Sequence, residues 1–171
     1  MRNLRLVLLA GLLVPGSATA RADEPPAFGV KCQRAGDKVT VAKEEQRVVF
    51  TVSSPRGIGG ATITRQDAAW PAEMVLRLKL SGLESLTINN GALKLEAAVQ
   101  SHGGFGRSVH SSKPGGEPQP VDAGCLRAFT ADGKPTDKLP GPGGWFELVV
   151  PRALLGDDVK KLEITWIDFY R

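Results

Sequence analysis

The stretch MVLRLKLSGLESLTINNGALKLEAAV (residues 74–99) decides the fold class. Its first part alternates: Met74, Leu76, Leu78 and Leu80 point one way, and Arg77, Lys79 and Ser81 the other. Successive side chains of a strand leave opposite faces, so this is a half-buried strand with one wet face. Residues 83–89 and 92–99 then flank Asn90-Gly91, the dipeptide that suits a type I′ turn. A two-residue loop there sets Ile88 opposite Leu93 and Leu86 opposite Leu95, with both apolar pairs on one face. A slip of one residue would turn every one of those side chains out to water.

The same signature spreads outward from this hairpin. Residues 38–42 (KVTVA) and 47–53 (RVVFTVS) are β-branched and aromatic, with polar Glu44-Glu45-Gln46 as the turn between them. Residues 61–66, 125–130 and 145–150 continue the style, and Asp132-Gly133 marks a further turn. In residues 161–170 (KLEITWIDFY), Leu162, Ile164 and Trp166 share one face, and Ile167 and Phe169 the other. Apolar residues on both faces indicate a central strand, or one that crosses between two environments. The run Gly57-Ile58-Gly59-Gly60 reads as a tight turn, and residues 151–155 as a single helical turn opened by Pro151. Residues 101–124 hold 13 Gly, Ser or Pro among 24 and show no period, so they read as one long loop. About nine strands with little helix predict one all-β domain over 26–171, an antiparallel β-sandwich, the jelly roll being one such arrangement.

Residues 1–20 have the layout of an export signal. Arg2 and Arg5 precede the apolar run LVLLAGLLV (6–14); Pro15-Gly16 breaks it, and Ala18-Thr19-Ala20 is a small-residue cleavage site. Ala20-Arg21-Ala22 is a second such site, so the signal ends at residue 20 or 22. Nine apolar residues are too few to span a hydrocarbon core of about 30 Å, and no later run is longer, so no transmembrane segment is expected. The expected location is the periplasm or the exterior. Removing Arg2 and Arg5 lowers the formal charge from +4 to +2, too little to argue for nucleic acid or an anionic membrane as partner. In an oxidising compartment the two cysteines, Cys32 and Cys125, read as one disulfide, the alternative being two separate thiols.

Several stretches resemble a family of small exported bacterial β-domain proteins with no assigned activity. They include Ser54-Pro55-Arg56-Gly57-Ile58-Gly59, Ala61-Thr62-Ile63, Trp70-Pro71, Leu76-Arg77-Leu78 and Gly82-Leu83-Glu84-Ser85. Phe146-Glu147, Pro151-Arg152-Ala153-Leu154 and residues 166–171 (WIDFYR) continue the pattern. The resemblance implies an exported β domain and carries over no site residue. Cys32, Cys125 and residues 101–124 fall outside it.

Candidate chemistry is sparse. His102 and His110 could join Cys32 and Cys125 in a zinc site, but no C-x2-C or H-x3-H element is present, so no metal is assigned. No G-x-S-x-G occurs, and the glycine-rich GGFGRS (103–108) lacks the lysine of a phosphate loop, so no cofactor is implied. Glu84, Glu147, Glu163 and Asp168 could supply the two carboxylates of a glycosidase. Asp168 sits between Trp166-Ile167 and Phe169-Tyr170, which points to a buried structural carboxylate needing partners. Trp70 and Trp145 lie at strand ends, where a ring either meets a ligand or packs under a loop. These readings predict a non-catalytic binding or interaction domain of the bacterial envelope or exterior, with a glycan or an envelope protein as partner. The alternatives are a carboxylate-dependent glycan hydrolase and a purely structural domain.

Overall fold

The computed structural model describes residues 28–168 apart from 45, 56, 67, 68, 81, 82 and 101–105. The segment expected to be an export signal (1–20 or 1–22) and His102 lie outside the described residues. The strands are β1 (Phe28–Cys32), β2 (Lys38–Glu44), β3 (Arg47–Ser53), β4 (Ile58–Arg65), β5 (Glu73–Lys79), β6 (Ser85–Asn89) and β7 (Lys94–Gln100). They continue with β8 (Gly106–Ser112), β9 (Gln119–Val121), β10 (Leu126–Phe129), β11 (Pro135–Thr136), β12 (Trp145–Pro151) and β13 (Lys161–Ile167). A 3-10 turn (Ala123–Cys125) and one helical turn, α1 (Arg152–Leu155), complete the described elements.

These strands form two sheets, ordered β1-β4-β13-β6-β7-β8-β9 and β11-β10-β12-β5-β3-β2. The sheets stack face to face: β1 meets β2 along one side and β8 meets β10 along the other. The fold is therefore an all-β sandwich. Every pairing is antiparallel except β3 with β5, which run parallel because the chain crosses to the other sheet as β4 before returning. Alternation decides which side chains enter the space between the sheets. Met74, Leu76 and Leu78 of β5 face Val48, Phe50 and Val52 of β3, and Phe146, Leu148 and Val150 of β12 extend the layer. Leu162, Ile164 and Trp166 answer from β13, a central strand as its two apolar faces suggested, with Leu86 and Ile88 of β6 beside them.

Several local readings need correction. The β6–β7 hairpin exists, but its loop has four residues: Asn89 pairs with Lys94, Ile88 with Leu95, and Leu86 with Ala97. The Asn90 side chain makes the difference. Its Oδ1 accepts from the amides of Ala92 and Leu93, and its Nδ2 donates to the Leu155 carbonyl. The shift is two residues, so the apolar face stays inward. Gly59 and Gly60 lie inside β4 and not in a turn. A Cβ on Gly59 would collide with the Trp166 indole, and one on Gly60 would meet the Gln33 side chain. Glycine is there for close approach.

Residues 101–124 are not one loop, since they contain β8 and β9. In β8 only Val109 is buried, so its composition looked like a loop while its backbone completes the edge of β7. The Cys32–Cys125 disulfide is absent, and both thiols are free. Cys32 ends β1 at one edge of the seven-stranded sheet, and Cys125 follows β9 at the other. They are several strand spacings of about 4.8 Å apart, whereas a disulfide needs Cα atoms within about 7 Å.

The Gly59–Trp166 contact makes a direct prediction. Gly59→Ala forces the indole out of place and should cost about 1–3 kcal/mol in denaturant unfolding. Gly60→Ala should cost less, because the far end of a flexible glutamine can move and the Ile164 carbonyl, at 3.1 Å, need give by only a few tenths of an ångström. Equal stability of Gly59→Ala and the parent would refute the packing argument.

Candidate functional site

The sequence candidates are scattered over the sandwich. Trp70 is 2% exposed and belongs to the core. It stacks on Phe28 at 5.3 Å, and its Nε1 donates to the Val159 carbonyl at 2.6 Å. Asp168 is buried, and its amide donates to the Gly57 carbonyl. It neighbours exposed Glu84, whose amide donates to the Ile167 carbonyl. Glu147 and Glu163 lie on the outer faces of different sheets, so they do not form a pair. His110 sits on the outer face of β8 opposite Glu96, and Cys32 lies at the far edge of the same sheet. Among the described residues, no group of three or more His, Cys, Asp or Glu could hold a metal. Burial and the charge of Asp122 push the Cys125 thiol above its ordinary pKa, so it is a poor nucleophile at neutral pH. Glu147 is buried as well, and a further buried acid, Asp37, escaped sequence reasoning; the Ser54 hydroxyl donates to its Oδ1 at 2.5 Å.

Trp145 has a different environment. Gly143, with φ of 79°, turns the chain into β12 and sets Trp145 opposite Phe129 of β10. A Cβ on Gly144 would strike the Phe129 carbonyl and Pro140, so the entry to the strand is tight. The rings of Phe129 and Trp145 stack at 5.5 Å with 13° between their planes. The indole Nε1 donates to Glu147 Oε1 at 3.1 Å. Arg77 Nε donates to the same oxygen at 2.7 Å, and the other arm of Arg77 reaches Glu44 at 3.2 and 3.4 Å. The Arg77 guanidinium and the Lys79 ammonium stand 5.7 and 5.9 Å from the Trp145 ring centre, within cation–π reach. Stacking, a hydrogen bond and two cations thus hold a half-exposed indole in one orientation on the outer face of the six-stranded sheet.

The charges on this face cover apolar surface. Val49 and Val75 point outward from β3 and β5, yet each is at most 1% exposed. Arg77 on β5 and Glu44 on β2 meet across β3, so their stems pass over Val49. Burial alone would raise the pKa of Glu44, but hydrogen bonds and charge from Arg77 and Arg47 outweigh it and hold the carboxyl below its ordinary 4.5. Burial likewise opposes the charge on Arg77, but Glu147 and Glu44 outweigh it and raise its pKa. Sequence reasoning named Trp145 but missed Arg77, Glu147, Glu44 and Phe129 as its setting. Parity held part of the signal, since Trp145 and Glu147 share a face of one strand, and Arg77 and Lys79 a face of another. What it lacked was the pairing of those strands.

Hollows among the described residues lie away from this face. A small apolar one lies between Ile88, Leu95, Val150, Leu155 and Leu162, and an open groove of about 290 Å³ lies between the β6–β7 and β8–β9 loops. Neither is lined by a carboxylate. Comparison with protein-family models, curated proteins and solved structures finds no match to this chain.

The Arg77–Glu44 pair has a defined pH dependence. Glu44 binds its proton less readily folded than unfolded, so its ion pairs stabilise fully above about pH 4.5 and fade as pH falls through the lower folded value. The pair is partly solvated, so Glu44→Gln should cost less than about 1 kcal/mol at pH 7. The cost should be smaller at pH 3, as the parent carboxyl takes up its proton on the way down. Urea titrations at both pH values measure it, and a difference independent of pH would rule out the ion pairs as its source.

Proposed function

We propose that the chain is an exported, non-catalytic binding domain of the bacterial envelope or exterior that holds a glycan on the outer face of its six-stranded sheet. The observation that carries this is the fixed, half-exposed Trp145 indole, backed by Phe129 and ringed by hydrogen-bonding groups. A rigid aromatic offers a large apolar contact at low entropic cost, while polar groups around it orient what binds. A flat sheet face suits an extended chain better than a small molecule, which favours a cavity. Export rests on the pattern of residues 1–22 and agrees with the family resemblance. The hydrolase reading draws less support. Glu147 is already committed to Arg77 and Trp145, and Glu163 to Lys161 on the opposite outer face.

Calorimetric titration of the full chain against a panel of polysaccharides tests the proposal. At least one should bind, and Trp145→Ala should weaken it by about tenfold or more, as truncating a central aromatic anchor does. Circular dichroism of the variant shows whether the fold is kept. Trp70→Phe, an interior change, should leave the affinity as it is. Absence of binding across the panel, or parental affinity in a folded Trp145→Ala chain, would overturn the proposal.

A further inference from the structure

Resting on the Trp145 reading, we infer that the glycan is acidic, with carboxylate or sulfate groups that Lys79 and Lys38 hold beside the indole. The strand registers place these residues on one line. Lys38 pairs with Ser53, and Ser53 with Lys79. One step beyond the Phe146–Leu78 pair, Lys79 faces Trp145, which pairs with Phe129. A single rung across five strands therefore reads Phe129, Trp145, Lys79, Ser53, Lys38 and spans about 19 Å at the ordinary strand spacing. All five side chains leave the same outer face.

Charge along this rung is unbalanced. Lys38 and Lys79 are exposed, the rung contains no acid, and among the described residues neither lysine joins an ion pair. Of the neighbouring acids, Glu147 is already matched by Arg77, and Asp37, next to Lys38, is buried and accepts the Ser54 hydroxyl. The outer face of the other sheet behaves differently, since there Lys94 pairs with Glu96 and Lys161 with Glu163. A neutral glycan lying along the rung would strip water from two ammonium groups and return no charge to them. An acidic glycan meets both cations while its sugar rings cover the aromatic pair. The small overall charge makes this a local complementarity and not a general affinity for polyanions.

The test compares a polyuronate with its fully methyl-esterified form, which has the same backbone and no charge, using the full chain. The acid form should bind about tenfold more tightly, with affinity falling as salt rises. Lys38→Gln with Lys79→Gln should erase that preference, so that the acid and the ester bind alike. Trp145→Ala should weaken both forms. If the ester binds as tightly as the acid and the lysine changes do nothing, the acidic ligand is refuted while the Trp145 reading stands. If neither form binds, nor any other polysaccharide, both readings fall. If single-stranded DNA binds as well as the polyuronate and ignores Trp145→Ala, the lysines are an unspecific cation patch and the inference is overturned.

Discussion

The sandwich depends on one close approach, that of the Trp166 indole to the backbone of Gly59. Trp166 is the last inward residue of β13, the strand that pairs with both β4 and β6. Its ring is fully buried, and its Nε1 has no hydrogen-bond partner among the described residues. Leaving that donor unmet costs about 1–3 kcal/mol. Burying an aromatic of about 200 Å² contributes on the order of 5 kcal/mol, so packing outweighs the unmet bond. The ring fits only because position 59 has no side chain. The two most recognisable stretches, Gly57–Gly59 and Trp166–Asp168, are thereby one structural unit: Gly59 pairs with Trp166, Ile58 with Ile167, and the Asp168 amide bonds Gly57. Their conspicuous residues serve the fold.

With the interior committed in this way, chemistry is left to the two outer faces, and these are unlike. The seven-stranded sheet presents Thr62, Thr87 and Thr165 with lysine–glutamate pairs spaced two residues apart on one strand. Such pairs neutralise each other locally and leave little direction for a partner. The six-stranded sheet carries its charges across strands. Arg77 joins Glu147 on one neighbour to Glu44 two strands away, on the same face as the buried Val49 and Val75. A cross-strand network of this kind fixes side chains that would otherwise wander, and Trp145 is one of those it fixes.

Much of the fold was legible because period-two alternation is a local property. The buried faces of β5, β6, β7 and β13 follow from it directly. The exceptions have distinct physical causes. The hairpin register moved by two because the Asn90 side chain, not the backbone dipeptide, closes the loop. The strand β8 was hidden because its outer face is Gly106, Ser108, His110 and Ser112, residues typical of loops, and only Val109 enters the core. Gly59 and Gly60 looked like a turn because composition does not reveal that a distant indole lies against the first of them. The cysteine pair had the right number, but parity of count carries no information about distance across a sheet. For the site, Trp145 was visible while its partners were not, since Arg77, Glu44 and Phe129 come from three other strands.

Trp70 and Trp145 show what decides between structure and surface. Both stand beside Pro or Gly at the end of a connection, and nothing local separates them. An indole has one donor to satisfy and a large ring to cover. Trp70 finds the Val159 carbonyl for its N–H and Phe28 for its ring, both on the inner side, so it is drawn into the core. Trp145 finds Glu147 and Phe129, both on the outer side, so its ring is supported from the flank and stays half open. Glu147 can serve there because Arg77 neutralises it; an unpaired carboxylate at 6% exposure would be costly. The ion pair is therefore what allows an aromatic ring to be rigid without being buried, and that combination distinguishes a contact surface from a core.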